Sequence, residues 1–105
     1  DLSGFENASA DVVFTDAVLM LVGPDKIQSC IEEMIRVARR SIILLEMHID
    51  GVGFGGTYTR DGWVRDYKAL FKQLGYDIKL VRMPPEVRPA GRWPKYGAYI
   101  EVRLQ

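Results

Sequence analysis

The stretch that decides the fold is SADVVFTDAVLML, Ser9 to Leu21. Within it, the apolar run Val12–Phe14 follows Asp11 and ends at Thr15 and Asp16, after which the chain turns apolar again. A short, continuous apolar run of this kind predicts a buried β-strand over Val12–Phe14. A carboxylate at the end of a buried strand is unexpected, and Asp16 is therefore the residue whose role has to be explained.

The next segment predicts a helix that is followed directly by a second strand. Gly23-Pro24-Asp25 opens the helix, since a proline in the first turn costs no hydrogen bond. Ser41–Met47 is apolar on both faces, which is typical of a central parallel strand. The apolar face of the helix repeats at spacings of three and four and consists of Ile27, Cys30, Ile31, Met34 and Ala38.

A loop and a second helix follow. The glycine-rich stretch DGVGFGGTYT, Asp50 to Thr59, lacks the strand-to-helix context of a dinucleotide-binding turn, and we interpret it as a loop rather than a phosphate cradle. Asp61 can cap the second helix, which Gly75 ends. Its predicted apolar face is Val64, Tyr67, Leu70, Phe71 and Leu74.

Two more strands complete the predicted fold. They cover Asp77–Met83 and Ala98–Leu104, and the proline-rich loop MPPEVRPAGRWPKYG separates them. The order strand, helix, strand, helix, strand, strand indicates an α/β fold. We expect a mostly parallel sheet with an antiparallel last strand, in a single domain over residues 1–105.

The composition argues against several partners and compartments. Fourteen basic residues balance fourteen acidic ones, so nucleic acid is not an expected partner. The apolar runs are far short of a membrane span, and we expect no membrane association. Cys30 is the single cysteine, which predicts a reducing compartment and a cytoplasmic protein.

The segment FENASADVVFTDAVLMLVGPDKIQSCIEEMIRVARRSIILLE resembles the second half of a class I S-adenosylmethionine-dependent methyltransferase. In that family an acidic residue and a short loop precede a strand of the type fDvVf, and a helix ends in a basic run before the next strand. The remaining helix, the LGY turn, the long loop and an antiparallel last strand also fit. The resemblance implies half of a Rossmann-like sheet and S-adenosylmethionine as cofactor.

Two cofactor-binding features of this family are missing from the sequence. The family's glycine-rich cofactor turn and its acid for the ribose hydroxyls have no counterpart in this sequence. We therefore expect a truncated methyltransferase that starts at Asp1, a fragment or processed product. Methyl transfer to a small-molecule acceptor would belong to the complete enzyme, and this chain alone is expected to be inactive.

The resemblance also assigns cofactor-binding residues. Asp16 and Ala17 match the position beside the methionine portion of the cofactor, and Asp1 and Leu2 match the acid-plus-apolar pair that meets the adenine. The structural alternative for Asp16 is a turn or helix-capping carboxylate. For Asp1 it is a frayed terminal residue.

Candidates for acceptor chemistry are Glu46 and His48, which flank Met47 at the end of a predicted strand. A histidine can serve as a general base near neutral pH, although an ordinary surface or loop histidine is the alternative. One histidine and one cysteine, without clustered ligand spacing, predict no metal site.

A set of aromatic and basic residues could stack on a planar substrate, or could simply pack loops on the sheet. It contains Tyr58, Trp63, Trp93, Tyr96 and Tyr99, interleaved with Arg60, Arg92 and Lys95.

The predicted half-sheet leaves surfaces without partners. In the family's strand order the strand Val12–Phe14 pairs with a strand that this sequence lacks, so it becomes an exposed apolar edge. Two right-handed crossovers place both helices on one side, which leaves the other sheet face bare. We expect a homodimer or a complementing N-terminal half to cover them.

Three functions therefore compete: a methyltransferase fragment, a non-enzymatic homodimeric binding or assembly module derived from the same fold, and a flavodoxin-like α/β domain. The last needs a phosphate-binding turn after a strand, which the sequence does not show.

Overall fold

The structure, a computed structural model, describes residues 2–53 and 56–104. Its strands are β1 Ala10–Asp16, β2 Ala38–Met47, β3 Thr57–Thr59, β4 Gly62–Val64, β5 Ile78–Arg82 and β6 Gly97–Arg103. Its helices are α1 Ile27–Val37, α2 Tyr67–Gln73 and α3 Trp93–Tyr96, and a 3-10 turn covers Leu19–Leu21. The predicted α/β class is confirmed, with a mixed four-stranded sheet at its centre.

The prediction of a mostly parallel sheet is wrong. The strand order is β1-β2-β6-β5, and only β1 and β2 form a parallel pair. The last strand, β6, lies between β2 and β5 and is antiparallel to both. Since β6 separates them, β2 and β5 run in the same direction without being neighbours, and two of the three strand pairs become antiparallel.

Alternation along β6 explains why it can occupy an inner position. Ala98, Ile100 and Val102 are buried against the helices, whereas Tyr99 and Glu101 are half-buried on the opposite face. This pattern fixes which side chains point to the core. It carries no information on which strands will be the neighbours, so the strand order could not be derived from it.

The second helix begins later than predicted. Asp66, rather than Asp61, caps α2, and its Oδ1 accepts a hydrogen bond of 3.0 Å from the Ala69 N–H. Asp61 instead lies in the turn of a β3–β4 hairpin that the sequence analysis interpreted as loop and helix. With three residues in each strand, the hairpin is too short for a clear alternating signal.

Both long helices pack on one face of the sheet, as the right-handed crossovers predicted. Their buried side chains, Ile27, Ile31, Met34, Leu70 and Phe71, share a core with strand residues Ile42, Leu44, Ile100 and Val102. The predicted helix face is only partly correct, because Cys30 is half-buried and Ala38 already belongs to β2.

The opposite face, which we call the bare face, is covered by neither α1 nor α2, and within the described residues only the short helix α3 packs on it, at its carboxyl end. It is formed by alternate residues of the four strands: Val12, Phe14 and Asp16, Ile43 and Leu45, Tyr99 and Glu101, and Lys79 and Val81. Phe14 is 69% exposed and Val81 is 55% exposed. Within the described residues, no helix has the length and apolar character that a membrane crossing requires.

Candidate functional site

The candidate site lies at the carboxyl ends of β1 and β2. Asp16 ends β1 in register with Leu45, and its carboxylate projects on the side of the bare face. The side chain is 46% exposed and its Oδ1 lies 2.8 Å from Nη2 of Arg88. The first candidate residue is therefore accessible, charged and ion-paired to a residue from a distant loop.

Ala17 continues the strand in an unusual conformation. Its φ is 58°, in the left-handed region that few residues other than glycine adopt, and its N–H donates a 3.0 Å hydrogen bond to the Leu45 carbonyl. Such a conformation costs about 1–2 kcal/mol and persists where the surroundings hold it. It turns the chain sharply away from the sheet, directly after Asp16.

Two buried charged residues hold the turn that follows. Oε2 of Glu46 accepts hydrogen bonds from the Thr15 hydroxyl at 2.7 Å, the Val18 N–H at 3.1 Å and the Leu19 N–H at 3.2 Å. The guanidinium of Arg65 donates to the Leu19 carbonyl at 2.7 Å and to the Val22 carbonyl. The carboxylate satisfies the N–H groups of the turn and the guanidinium satisfies its carbonyls.

Three buried polar atoms around this turn have no hydrogen-bond partner among the described residues: Oε1 of Glu46, Nε of Arg65 and the hydroxyl of Tyr67. Burial raises the pKa of Glu46, although its bonds to Thr15, Val18 and Leu19 act in the opposite direction. Burial, followed by the charge of Glu46, raises the pKa of Tyr67 well above its ordinary value. A protonated phenol thus lies beside a carboxyl group that burial holds towards its neutral form.

His48 is fully buried, and its hydrogen bonds fix its tautomer. The Tyr67 N–H lies 3.1 Å from Nδ1 and can only donate, so Nδ1 accepts and the ring proton resides on Nε2. Nε2 donates to Oδ1 of Asp50 at 2.7 Å. That hydrogen bond, followed by the charge of Lys68, lowers the pKa of Asp50.

His48, Asp50 and Asp66 place three possible metal ligands within 4.8 Å of one another. The hydrogen bonds do not fit a metal centre, however. A metal at Nε2 would require the proton on Nδ1, where it would face the Tyr67 N–H. Both oxygens of Asp66 already accept backbone bonds, from Gly51 and Ala69. We interpret this cluster as a link between the end of β2 and the start of α2.

The loop between β5 and α3 reaches across the carboxyl ends of the strands. Arg88 lies on it, and its guanidinium carbon is 4.4 Å from the centre of the Trp93 ring. Trp93 is buried with Met47, Val64 and Met83. This cluster, with Tyr99 and Leu45 packed against it, covers the carboxyl end of the bare face.

The structure separates the predicted cofactor and catalytic residues. Glu46 and its alternate neighbour His48 extend to the helix side of the sheet, whereas Asp16 is on the bare face. Leu2 packs near the end of α1, where its carbonyl accepts a 3.1 Å bond from Arg36, at the amino ends of the strands. It is therefore not brought to Asp16, and Asp1 lies outside the described residues.

The aromatic and basic set is likewise distributed over several elements. Tyr58 contacts Trp63 edge-on in the hairpin at 5.2 Å, and Lys95 lies over Tyr96 in α3 at 5.3 Å. Arg92 approaches Asp61 at 3.8 Å. These contacts lie within the hairpin, within α3 and between the two, which favours the packing interpretation.

Arg65, Asp66 and Arg88 were not predicted from the sequence. A signal for the first two was present, because a charged pair stands inside the apolar run Trp63-Val64 and Tyr67. Arg88 had no such signal, since its role depends on where the long loop folds.

Comparison of the chain with protein-family models, with curated proteins and with solved structures finds no match.

Proposed function

We propose that this chain supplies the methionine side of an S-adenosylmethionine site in a small-molecule methyltransferase. The carrying observation is the carboxyl edge of the parallel pair β1 and β2, where exposed Asp16 is followed by Ala17 at a φ of 58°. Open α/β sheets bind ligands at this edge. The sequence resemblance assigns the same two residues to the cofactor.

The residues around this edge fit a site that works by alignment. Methyl transfer requires that nucleophile, methyl group and sulfur are held in line, and such positioning can supply much of the catalysis. Glu46 and Arg65 fix the turn after Ala17 through five hydrogen bonds to its backbone and to Thr15. Their burial favours a positioning role, and proton transfer by Glu46 or His48 stays a prediction.

The remaining cofactor contacts are proposed to come from a segment that pairs with the free edge of β1. That edge strand has seven residues and exposes Val12 and Phe14. A strand added there would extend the sheet and stand next to Ala17, where a glycine-rich turn could reach the cofactor. Methyl transfer thus belongs to the completed sheet, whereas the half-site of this chain should already bind the ligand weakly.

Calorimetric titration with S-adenosylhomocysteine tests this proposal. We expect saturable binding that Asp16→Asn weakens. Asp11→Asn is the matched control, because Asp11 is an exposed carboxylate of the same strand that pairs with Arg39 at the opposite end. No heat at millimolar ligand, or equal loss in both variants, would reject the site.

A second candidate is a non-enzymatic module that dimerises through β1. The observation in its favour is the edge itself, which is apolar at Val12 and Phe14 and has no partner strand among the described residues. A two-fold axis at Val13 would place Val12 of each copy opposite Phe14 of the second copy. In that register Asp11 faces Thr15 and Asp16 faces Ala10, so no two carboxylates oppose each other.

Sedimentation velocity tests whether the chain forms the dimer that this second candidate requires. We expect the wild-type chain to form dimers and Phe14→Lys to shift it to monomers, because lysine on an edge strand prevents pairing. Val81→Lys changes another exposed apolar residue, on the other edge strand, β5, and should leave the dimer intact. A monodisperse wild-type monomer at high concentration would eliminate the dimer.

A further inference from the structure

We infer that the side chains of Glu46, Arg65 and Tyr67 together form an internal binding site for a single water molecule. The site lies between the turn that follows β1, which Glu46 and Arg65 hold, and the start of α2, where Tyr67 is the first residue. The inference goes beyond the proposed function, because it does not depend on which ligand the carboxyl edge of the sheet binds.

Three enclosed polar atoms are the first argument. Oε1 of Glu46, Nε of Arg65 and the hydroxyl of Tyr67 have no hydrogen-bond partner in the part of the chain that the structure describes, and all three residues are fully buried. Folded proteins leave few buried polar atoms unpaired, and ordered water satisfies many of those that no protein group reaches. Three such atoms around one turn therefore indicate a shared partner.

The spacing of the two charged side chains is the second argument. The Leu19 N–H donates to Oε2 of Glu46 at 3.2 Å, and the Leu19 carbonyl accepts from Nη1 of Arg65 at 2.7 Å. Although both side chains bind the backbone of one residue, the ion pairs of the described residues include none between them. A bridging water fits between two polar groups that are close but not in direct contact.

Tyr67 completes the site from α2. Burial has the largest effect on the pKa of Tyr67 and raises it, the charge of Glu46 raises it further, and the charge of Arg65 lowers it. The phenol therefore lies near both charged groups and keeps its proton. Its hydroxyl can donate one hydrogen bond and can also accept, so it suits either orientation of a neighbouring water.

The hydrogen-bonding chemistry of the three atoms selects the ligand. An ionised Oε1 only accepts, Nε–H only donates, and the phenol does either. A cation would be repelled by the guanidinium and an anion by the carboxylate. One water donates to Oε1, accepts from Nε–H and forms its third bond with the hydroxyl, and about three bonds are usual for a buried water. Because water also accepts, protonation of Glu46 would preserve all three bonds.

A high-resolution crystal structure of the wild-type chain tests the site directly. We expect one density peak within about 2.5–3.2 Å of Oε1 of Glu46, Nε of Arg65 and the hydroxyl of Tyr67. Direct hydrogen bonds among the three side chains, with no peak between them, would overturn the inference. An anomalous peak at this position after a bromide soak would also overturn it, because the site would then hold an anion.

Tyr67→Phe tests the site in solution, because the sign of its effect depends on the water. Removal of a hydroxyl that is bonded to water loses a hydrogen bond, so we expect the equilibrium constant for unfolding in urea to rise about fivefold. Tyr76→Phe is the matched control, since Tyr76 is a half-buried tyrosine packed against the same core, and it should change this constant about twofold or less. A constant that stays equal or falls in Tyr67→Phe would show that the hydroxyl has no partner and would overturn the inference.

Discussion

Buried charges at the carboxyl edge determine how the turn after β1 is held. Glu46 and Arg65 are both fully buried and are not paired with each other by a salt bridge. Each instead makes hydrogen bonds to backbone groups of residues 18–22, although one polar atom of each side chain has no partner among the described residues. Because a buried backbone donor or acceptor without a partner is costly, removal of either side chain should lower the stability of the fold before it affects chemistry.

Glu46 should make stability depend on pH. Burial raises the pKa of Glu46 above the ordinary 4.5 in the folded chain. The stability that this shift contributes is complete below pH 4.5 and is lost as the pH rises through the folded pKa. Glu46→Gln keeps an acceptor for Thr15, Val18 and Leu19 without the charge. We expect the free energy of unfolding of the wild type to fall relative to the variant between about pH 5 and about pH 8.

Urea unfolding at both pH values measures this difference, and Glu32→Gln is the control because Glu32 is exposed on α1. A wild-type stability that rises relative to Glu46→Gln over the same interval would show that the hydrogen bonds outweigh burial.

Substitution of Arg65 should lower the free energy of unfolding more than substitution at most other positions. Arg65→Met fills similar space but leaves the Leu19 and Val22 carbonyls without their donor, and we expect a loss of about 3 kcal/mol in the free energy of unfolding. Arg60→Met, at an exposed position in the hairpin turn, should change it by about 0.5 kcal/mol or less. Urea denaturation of the two variants provides the comparison, and equal effects would contradict the assigned role of Arg65.

At the scale of elements, the cap of α2 shows how a local rule finds a helix but misplaces its start. Asp61 and Asp66 are both acceptable caps by residue type. Tertiary contacts decide which of the two caps α2. Asp66 also accepts a 2.7 Å hydrogen bond from the Gly51 N–H, whereas Asp61 lies in the hairpin turn. The glycine-rich segment thus contributes to where α2 begins.

Substitution of the two aspartates tests this assignment. Asp66→Ala should destabilise the chain by about 1–2 kcal/mol, since both the cap and the bond to Gly51 are lost. Asp61→Ala should cost about 0.5 kcal/mol or less, because its ion pair with Arg92 is long at 3.8 Å. Thermal unfolding followed by circular dichroism compares them, and a larger effect at Asp61 would reverse the assignment.

The apolar period of the sequence predicted the long elements that are buried on one side. It failed for elements that are short and for contacts between residues distant in sequence. α1 and the core face of β6 were derived from apolar spacing, because burial on one side leaves a period in the sequence. β2 was derived from a continuous run that is apolar on both faces. The β3–β4 hairpin has no such period, and the ion pair of Asp16 with Arg88 joins residues that only the folded loop brings together. Asp16 and Ala17 could be chosen from the sequence as candidates, and Arg65 had a signal in its apolar surroundings, whereas Arg88 had none.

For the whole molecule, the main feature is the contrast between the two sheet faces. One face shares a core with α1 and α2, and the other exposes Phe14 and Val81 while loop residues around Trp93 cover only its carboxyl end. Apolar side chains at an unpaired edge favour association of copies.

Association should be strongest near neutral pH. The fourteen basic and fourteen acidic residues cancel there, so charge repulsion between copies is minimal. We expect light scattering by the wild-type chain to decrease at pH values well away from neutrality, and Phe14→Lys to remain monomeric throughout. Scattering that does not change with pH would argue that the apolar edge is protected in solution.

The inner position of β6 also constrains how the chain folds during its synthesis. β2 pairs with β6 along its length, from Ser41 with Arg103 to Met47 with Gly97, although these segments are far apart in sequence. During synthesis, β1, α1 and β2 leave the ribosome early, but the middle of the sheet stays open until the final strand emerges. We therefore expect the nascent chain to acquire its tertiary structure late, with β2 and β5 joined only when β6 inserts between them.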